Sequence, residues 1–198
     1  MSKIESMLDK IYETDPNTGH YIIEVALKNY AEIFNDWDHA PYKRKDINPE
    51  LIVFLEDSID DIPQKFDVDI CFYLAAEIRN PERERVITSW FKTFFAFYIE
   101  IEKTKIKNHA KTALIYGVIS AALLITSFFG HLYQNSIVVY TITEIIIVGG
   151  WVFLWEAISR LVFETKTNRR LIQNYKRFIG APISFRYSTP VITPLKQS

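Results

Sequence analysis

Two long apolar stretches in the second half of the sequence place the strongest constraint on the fold. The first, Thr112–Phe129, has 18 residues and no charge, so a helix over it would cover about 27 Å, close to the thickness of a bilayer core. The second runs from Ile137 to Trp155 with a single charge. Only the polar turn 130–136 separates them. The sequence therefore predicts an antiparallel two-helix transmembrane hairpin over 111–163, with spans at about 112–129 and 137–158.

A buried hairpin in a soluble helical bundle is the alternative interpretation of these stretches. Helices of that kind carry a polar face toward solvent. The stretch Thr112–Phe129 offers only Thr, Ser and Tyr as polar residues. Its composition therefore favours a membrane.

Charge is distributed unevenly along the chain. Residues 1–100 carry 20 acidic and 11 basic side chains, whereas residues 101–198 carry 4 acidic and 12 basic ones. Basic residues precede the first stretch and follow the second, and the connecting turn has no Lys or Arg. By the positive-inside rule, we expect both termini on the cytoplasmic side of a bacterial inner membrane. The basic residues expected to set this topology and to contact anionic lipid head groups are Lys103, Lys105, Lys107, Lys111, Arg169 and Arg170.

The N-terminal half has the patterns of a small α+β domain with a sheet and covering helices. Segments 20–28 and 65–75 alternate apolar and polar residues, which is typical of strands. Between them, Asn48 and Pro49 open a helix that stops before Pro63, so the two strands can be parallel with a helical crossover. The predicted organisation is an amphipathic helix in 1–19, the cytosolic domain in 20–110, and a basic helix, short strand and frayed tail in 164–198. We expect the strand, ISFRYS, to return to the N-terminal sheet.

A long amphipathic helix follows Asn80 and Pro81. Its apolar residues recur at three- and four-residue steps, which predicts one wide apolar face. This face covers the sheet in the favoured interpretation and lies on the membrane surface in the alternative. No helix breaker separates it from the first apolar stretch, so the two are predicted to be nearly continuous. The face consists of Val86, Ile87, Trp90, Phe91, Phe94, Phe97, Tyr98 and Ile101.

Two segments of the chain, FNDWDHAPYKRKDINPELIVFLEDSIDDIP and EIIIVGGWVFLWEAI, resemble a family of uncharacterised bacterial proteins with two membrane spans. Proteins of that family have an N-terminal cytosolic domain before a membrane hairpin. The resemblance implies a bacterial membrane protein of this architecture and assigns no activity.

One acidic residue, Glu144, lies well inside the second apolar stretch, roughly where a bilayer midplane would fall. An ionised carboxylate is costly there, so we expect the neutral acid, which needs a hydrogen-bond partner. Helical spacing puts Thr141 on the same side, and Ser120 of the first stretch lies at a similar depth. Two interpretations stay open. Glu144 either joins helices, within the hairpin or between subunits, or lines an ion or proton path in an oligomer.

The first apolar stretch also carries small residues at four-residue steps. Such residues allow two helix backbones to approach closely in a membrane. We therefore predict that this face packs against another helix. The residues are Ala113, Gly117 and Ala121.

Signatures of chemistry are sparse in this sequence. The single cysteine, Cys71, excludes an internal disulfide and a cysteine-rich metal site. The acidic loop containing Asp38 and His39 lacks the spacing of a calcium loop or a helical histidine pair, and we interpret it as a solvated, capped loop. Neither a phosphate-binding glycine loop nor a catalytic triad order is recognisable. We expect no enzyme activity, no metal and no cofactor.

The functional hypothesis that follows is a membrane-anchored assembly, adaptor or signalling protein. Its expected partners are membrane lipid and either further copies of itself or a membrane or cytosolic protein, and not nucleic acid. The alternative is a small oligomeric ion channel or membrane-permeabilising effector with Glu144 in the pore.

Overall fold

The computed structural model describes residues 3–41, 45–132 and 136–188. The chain divides into two compact units. Unit 1 comprises Met1–Phe97 together with Asn174–Ser198, and unit 2 comprises Tyr98–Gln173. Both ends of the chain thus belong to the same unit. The tail predicted after the last strand lies outside the described residues.

Unit 1 contains a four-stranded mixed sheet. Its strands are β1 (Glu13–Thr14), β2 (Tyr21–Ala26), β3 (Val68–Ala75) and β4 (Ile183–Ser188), in the order β1-β2-β3-β4. β1 is antiparallel to β2, whereas β2, β3 and β4 are parallel, so both the predicted parallel pairing and the return of ISFRYS to the sheet are confirmed. Parallel pairs need crossover connections, which the intervening helices supply.

Three shorter helical segments complete the first half of unit 1. They are α1 (Lys3–Ile11), a 3-10 turn at Tyr30–Ile33 and α2 (Pro49–Asp61). α2 begins where the sequence predicts, because the side chain of Asn48 accepts a hydrogen bond from the Glu50 amide and Pro49 fits the first helical position. A second 3-10 turn, Ala76–Ile78, precedes α3 (Pro81–Leu132), which is one continuous helix of 52 residues.

The core of unit 1 is an aromatic cluster on one face of the sheet. Phe91 of α3 lies edge-on to Phe72 of β3, with ring centroids 6.4 Å apart. Phe178 of α5 (Thr165–Gly180) packs on Phe91 and on Phe95. The part of the predicted apolar face that belongs to unit 1 therefore covers the sheet, as the favoured interpretation predicts. Phe97 does not, since 63% of its surface is exposed.

Unit 2 is built from two long helical segments that run antiparallel. The first is the remainder of α3, and the second consists of α4 (Ile137–Ser159), one π-helical turn (Arg160–Glu164) and the first half of α5. Both contain a window that is long and apolar enough to cross a membrane. Only 17% of that window is buried in the first segment and 11% in the second.

Candidate functional site

The contact between the two helices of unit 2 follows a seven-residue repeat of small side chains. We call these residues the inner seam. All of them are buried, although the helices around them are largely exposed. Seven-residue spacing is the repeat of left-handed antiparallel helix packing, because it keeps residues on nearly the same side of each helix. The inner seam consists of Ala113, Ser120 and Ser127 on α3 and Thr143, Gly150 and Ala157 on α4.

Gly150 packs tightly against α3. The Ser120 hydroxyl donates a hydrogen bond to the Gly150 carbonyl oxygen, with an Oγ–O distance of 2.7 Å. A Cβ added to Gly150 would lie 2.8 Å from Leu124 Cδ2. The space at Gly130 is equally limited, since an added Cβ there would lie 2.7 Å from Thr143 Oγ1. These glycines are needed for the helices to approach so closely.

The predicted small-residue face differs from the inner seam. Ala113 belongs to both, but an added Cβ on Gly117 would meet no atom within 4 Å, and Ala121 is exposed. The reason is geometric. A four-residue step turns about 40° around a helix at about 100° per residue, so a stripe at such steps leaves the contact, whereas seven-residue steps drift only about 20°.

Glu144 lies beside the inner seam and not within it. Its side chain is half-buried, and among the described residues its carboxylate makes no hydrogen bond or ion pair. Ser120, which was expected at the same depth, donates its hydrogen bond to the Gly150 carbonyl oxygen instead. Thr141 is exposed, and its hydroxyl donates to the Ile137 carbonyl oxygen at 2.9 Å. Neither predicted neighbour therefore forms a hydrogen bond with Glu144, although Thr141 lies on the same side of α4.

A cluster of polar side chains follows the apolar part of the pair at the end away from the turn. We call it the polar collar: Glu102, Lys105, His109, Arg160, Glu164 and Asn168. Glu102 is buried, and its two carboxylate oxygens accept from Lys105 Nζ at 2.5 Å and from Asn168 Nδ2 at 2.8 Å. This pairing compensates part of the cost of burying a carboxylate.

The second half of the polar collar surrounds the π-helical turn. Glu164 Oε2 contacts Nδ1 of His109 on α3 and lies 3.8 Å from a guanidinium nitrogen of Arg160. Arg160 also pairs with Glu156 at 2.8 Å and lies over the Tyr116 ring, 5.4 Å from its centroid. π turns are uncommon and occur frequently at functional positions. The polar collar was missed by sequence reasoning, because its members are separated by up to 66 residues along the chain.

The basic residues predicted to contact lipid are at the surface. The side chains of Lys107, Lys111, Arg169 and Arg170 are exposed. Lys103 pairs with Glu100 at 2.6 Å, and this hydrogen bond lowers the pKa of the Glu100 carboxyl. The ammonium group of Lys105 pairs with Glu102 in the polar collar.

A separate polar cluster lies in unit 1, where the parallel strands end. Tyr30, just after β2, and Tyr187 of β4 both donate to Glu84 Oε1, the former at 2.6 Å. The Asn80 amide in turn donates to the Tyr30 hydroxyl at 3.1 Å. Burial and the carboxylate raise the pKa of both tyrosines. No local spacing links the members of this cluster, so it could not be predicted from the sequence.

The loop around Asp38 behaves as a capped loop. Asp38 accepts hydrogen bonds from the Ala40 and Asp46 amides at 2.8 and 2.6 Å, and these bonds lower the pKa of its carboxyl. Within the described ranges, no group of three His, Cys, Asp or Glu side chains could hold a metal ion.

Comparison of the chain with protein-family models, with curated proteins and with solved structures finds no match.

Proposed function

We propose that this protein is an integral membrane protein in which the two helices of unit 2 cross the cytoplasmic membrane of a bacterium and anchor unit 1 at the inner side. The observation that supports the proposal most strongly is the exposure of large apolar side chains along both helices. In a water-soluble hairpin this surface would be covered by protein, whereas here most of both windows is uncovered. The exposed residues include Leu114, Val118, Ile125, Phe128, Ile145, Val148, Val152 and Trp155.

The polar residues of unit 2 support the same proposal. Hydroxyls within the apolar part donate to helix carbonyls, as they do for Ser120, Thr126 and Thr143. Charged side chains collect in the polar collar and the flanking basic residues, beyond the end of the apolar part. A lipid core requires this separation, since unsatisfied polar groups are costly inside it.

The biochemical role that fits these features best is a membrane-anchored assembly, adaptor or signalling protein without catalysis. Unit 1 has a well-packed core and its own sheet, so it can present a surface to a partner from the membrane. The basic residues near the spans, on the proposed inner side, favour anionic lipid head groups as further ligands.

The test of insertion is to fractionate cells and map the sides of the membrane. The protein should stay in the membrane pellet after an alkaline carbonate wash and leave it only with detergent. A thiol at Ser136→Cys should react with an impermeant maleimide in intact spheroplasts, whereas the matched Lys107→Cys should react only after lysis. Recovery in the wash would contradict insertion, and labelling of Lys107→Cys in intact spheroplasts would contradict the topology.

The second candidate function is an oligomeric channel lined by Glu144. It is favoured by one observation, the half-buried carboxylate without a partner among the described residues. Cells expressing the wild type and Glu144→Gln should be compared by membrane potential. The anchor role predicts that neither depolarises cells, whereas depolarisation by the wild type alone would favour the channel.

A further inference from the structure

The outer side of α4 carries a second row of residues with helix-packing spacing. The steps between its members are 4, 3, 4, 3 and 4, so these residues share one side of the helix, as residues in a helix–helix contact do. Five of the six side chains are exposed and the central one, Glu144, is half-buried. We call this row the Glu144 stripe: Ile137, Thr141, Glu144, Val148, Trp151 and Trp155.

The Glu144 stripe is distinct from the inner seam. At about 100° per residue, its centre lies roughly 130° around the helix from Thr143, Gly150 and Ala157. α4 therefore has one face occupied by α3 and another face, with its own heptad spacing, that has no helix on it within the described chain.

Among the described residues, the hairpin supplies no partner for Glu144. Five Ser and Thr hydroxyls of its apolar part donate to backbone carbonyls, and none of these reaches the carboxyl group. The donors are Ser120, Thr126, Ser127, Thr141 and Thr143. A carboxyl group facing lipid without a partner is unfavourable, whether it is charged or neutral. A second molecule on this face would supply the missing partner.

We infer that the Glu144 stripe is a dimerisation surface that binds the same stripe of a second copy of this chain. The inference rests on the proposed membrane insertion. Copies inserted with one topology are parallel, so the two α4 helices meet at equal depth and each Glu144 faces the other. Two carboxyl groups at one site do not both ionise, and a neutral one donates a hydrogen bond to the other. A single polar group at the centre of a heptad row also fixes the register of the pair.

The first measurement is disulfide cross-linking in native membranes. Ile137→Cys places a thiol on the stripe, and the matched Val138→Cys places one on the adjacent side at the same depth. Both positions are exposed, at 81% and 61%, and the native Cys71 is fully buried in β3. Oxidation should give a covalent dimer with Ile137→Cys and at least fivefold less with Val138→Cys. Equal yields, or a product whose mass is not twice that of the chain, would overturn the inference.

The second measurement changes Glu144 in the Ile137→Cys background. Glu144→Leu removes the polar pair and should lower the dimer–monomer ratio about tenfold, equivalent to about 1.4 kcal/mol. Glu144→Gln keeps a donor and an acceptor and should retain most of the dimer. An unchanged ratio in Glu144→Leu would show that the helices meet without Glu144 and would refute the pairing. Fractionation of the same samples separates this result from a failure of insertion, which would move the protein out of the membrane pellet.

Discussion

The two units of this protein use apolar side chains in opposite ways. In unit 1, the bulky residues Phe72, Phe91 and Phe178 are fully buried against each other. In unit 2, residues of the same size point outward, while Ser120 and Gly150 lie in the contact. One helix, α3, takes part in both arrangements.

This difference indicates which solvent each part of the chain is adapted to. Water drives large apolar groups together, and unit 1 is organised by that force. Lipid provides no such force between helices, so close backbone approach and hydrogen bonding hold a helix pair together instead. The inner seam has the composition expected for lipid and a poor composition for a water-driven core.

The largest effect should come from removing one aromatic ring from the core of unit 1. Phe91→Ala leaves a cavity beside Phe72 and Phe95 and should lower the free energy of unfolding of unit 1 by about 3–5 kcal/mol. The measurement is denaturant unfolding in detergent, followed by tryptophan fluorescence.

The matched control for that change is Phe128→Ala, the same substitution on the same helix. Phe128 is 64% exposed in unit 2. Its loss should alter stability by less than about 0.5 kcal/mol. Similar losses for both variants would mean that Phe128 is covered as a core residue is, and the contrast between the units would fail.

The elements of unit 1 could be predicted from the sequence because their signals are local. Alternation marks β2 and β3, and the Asn48–Pro49 pair fixes the start of α2. The return of β4 to the sheet was predicted as well, whereas its parallel direction is known only from the structure. By contrast, Phe95, fully buried in the core, lies outside the predicted apolar face. When an apolar face is wide, the sequence does not show whether the residues at its edges are buried. That depends on how α5 packs against the helix.

The next effect tests the inner seam with glycine-to-alanine changes. Gly150→Ala places a methyl group 2.8 Å from Leu124 Cδ2, so the Leu124 side chain or the helices must shift, and overpacking of this kind costs about 1–3 kcal/mol. Gly117→Ala meets no atom within 4 Å and should be neutral or stabilising, by up to about 1 kcal/mol from helix propensity. Steric trapping or thermal unfolding of the helix pair in detergent measures both. A larger loss for Gly117→Ala would locate the contact on the four-residue stripe instead.

Prediction of the candidate site was less complete, for a physical reason. Sequence spacing identifies which residues share a side of one helix, but it does not determine how two helices rotate against each other. Ser120 was expected beside Glu144 and is bonded to Gly150. The pairs of the polar collar depend on the same rotation and on the π turn, and neither leaves a local pattern. The seven-residue spacing of the inner seam is visible in the sequence, since Ala113, Ser120 and Ser127 recur every seventh residue.

The smallest loss of stability is expected from removing the hydrogen bond between Tyr187 and Glu84 in unit 1, because water can partly replace it. Tyr187→Phe removes one hydrogen bond to Glu84 and should lower the free energy of unfolding by about 0.5–1.5 kcal/mol at neutral pH. Because folding raises the pKa of Tyr187, the stabilisation is fully present below about pH 10, the ordinary value for tyrosine. Above that pH the unfolded chain loses its proton first, so wild-type stability should fall.

The pH dependence separates this contact from simple packing. Denaturant unfolding at pH 7, 9 and 10.5 should show the difference between wild type and Tyr187→Phe shrinking at the highest pH. Tyr30→Phe should lower the free energy of unfolding more than Tyr187→Phe does. Tyr30 is nearly fully buried, and its hydroxyl oxygen also accepts a hydrogen bond from the Asn80 amide. A difference for Tyr187→Phe that stays constant with pH would mean that the Glu84 contact does not depend on the hydroxyl proton. Tyr187 would then stabilise unit 1 through the packing of its ring, and the contrast with the hydrogen-bonded inner seam would be sharper.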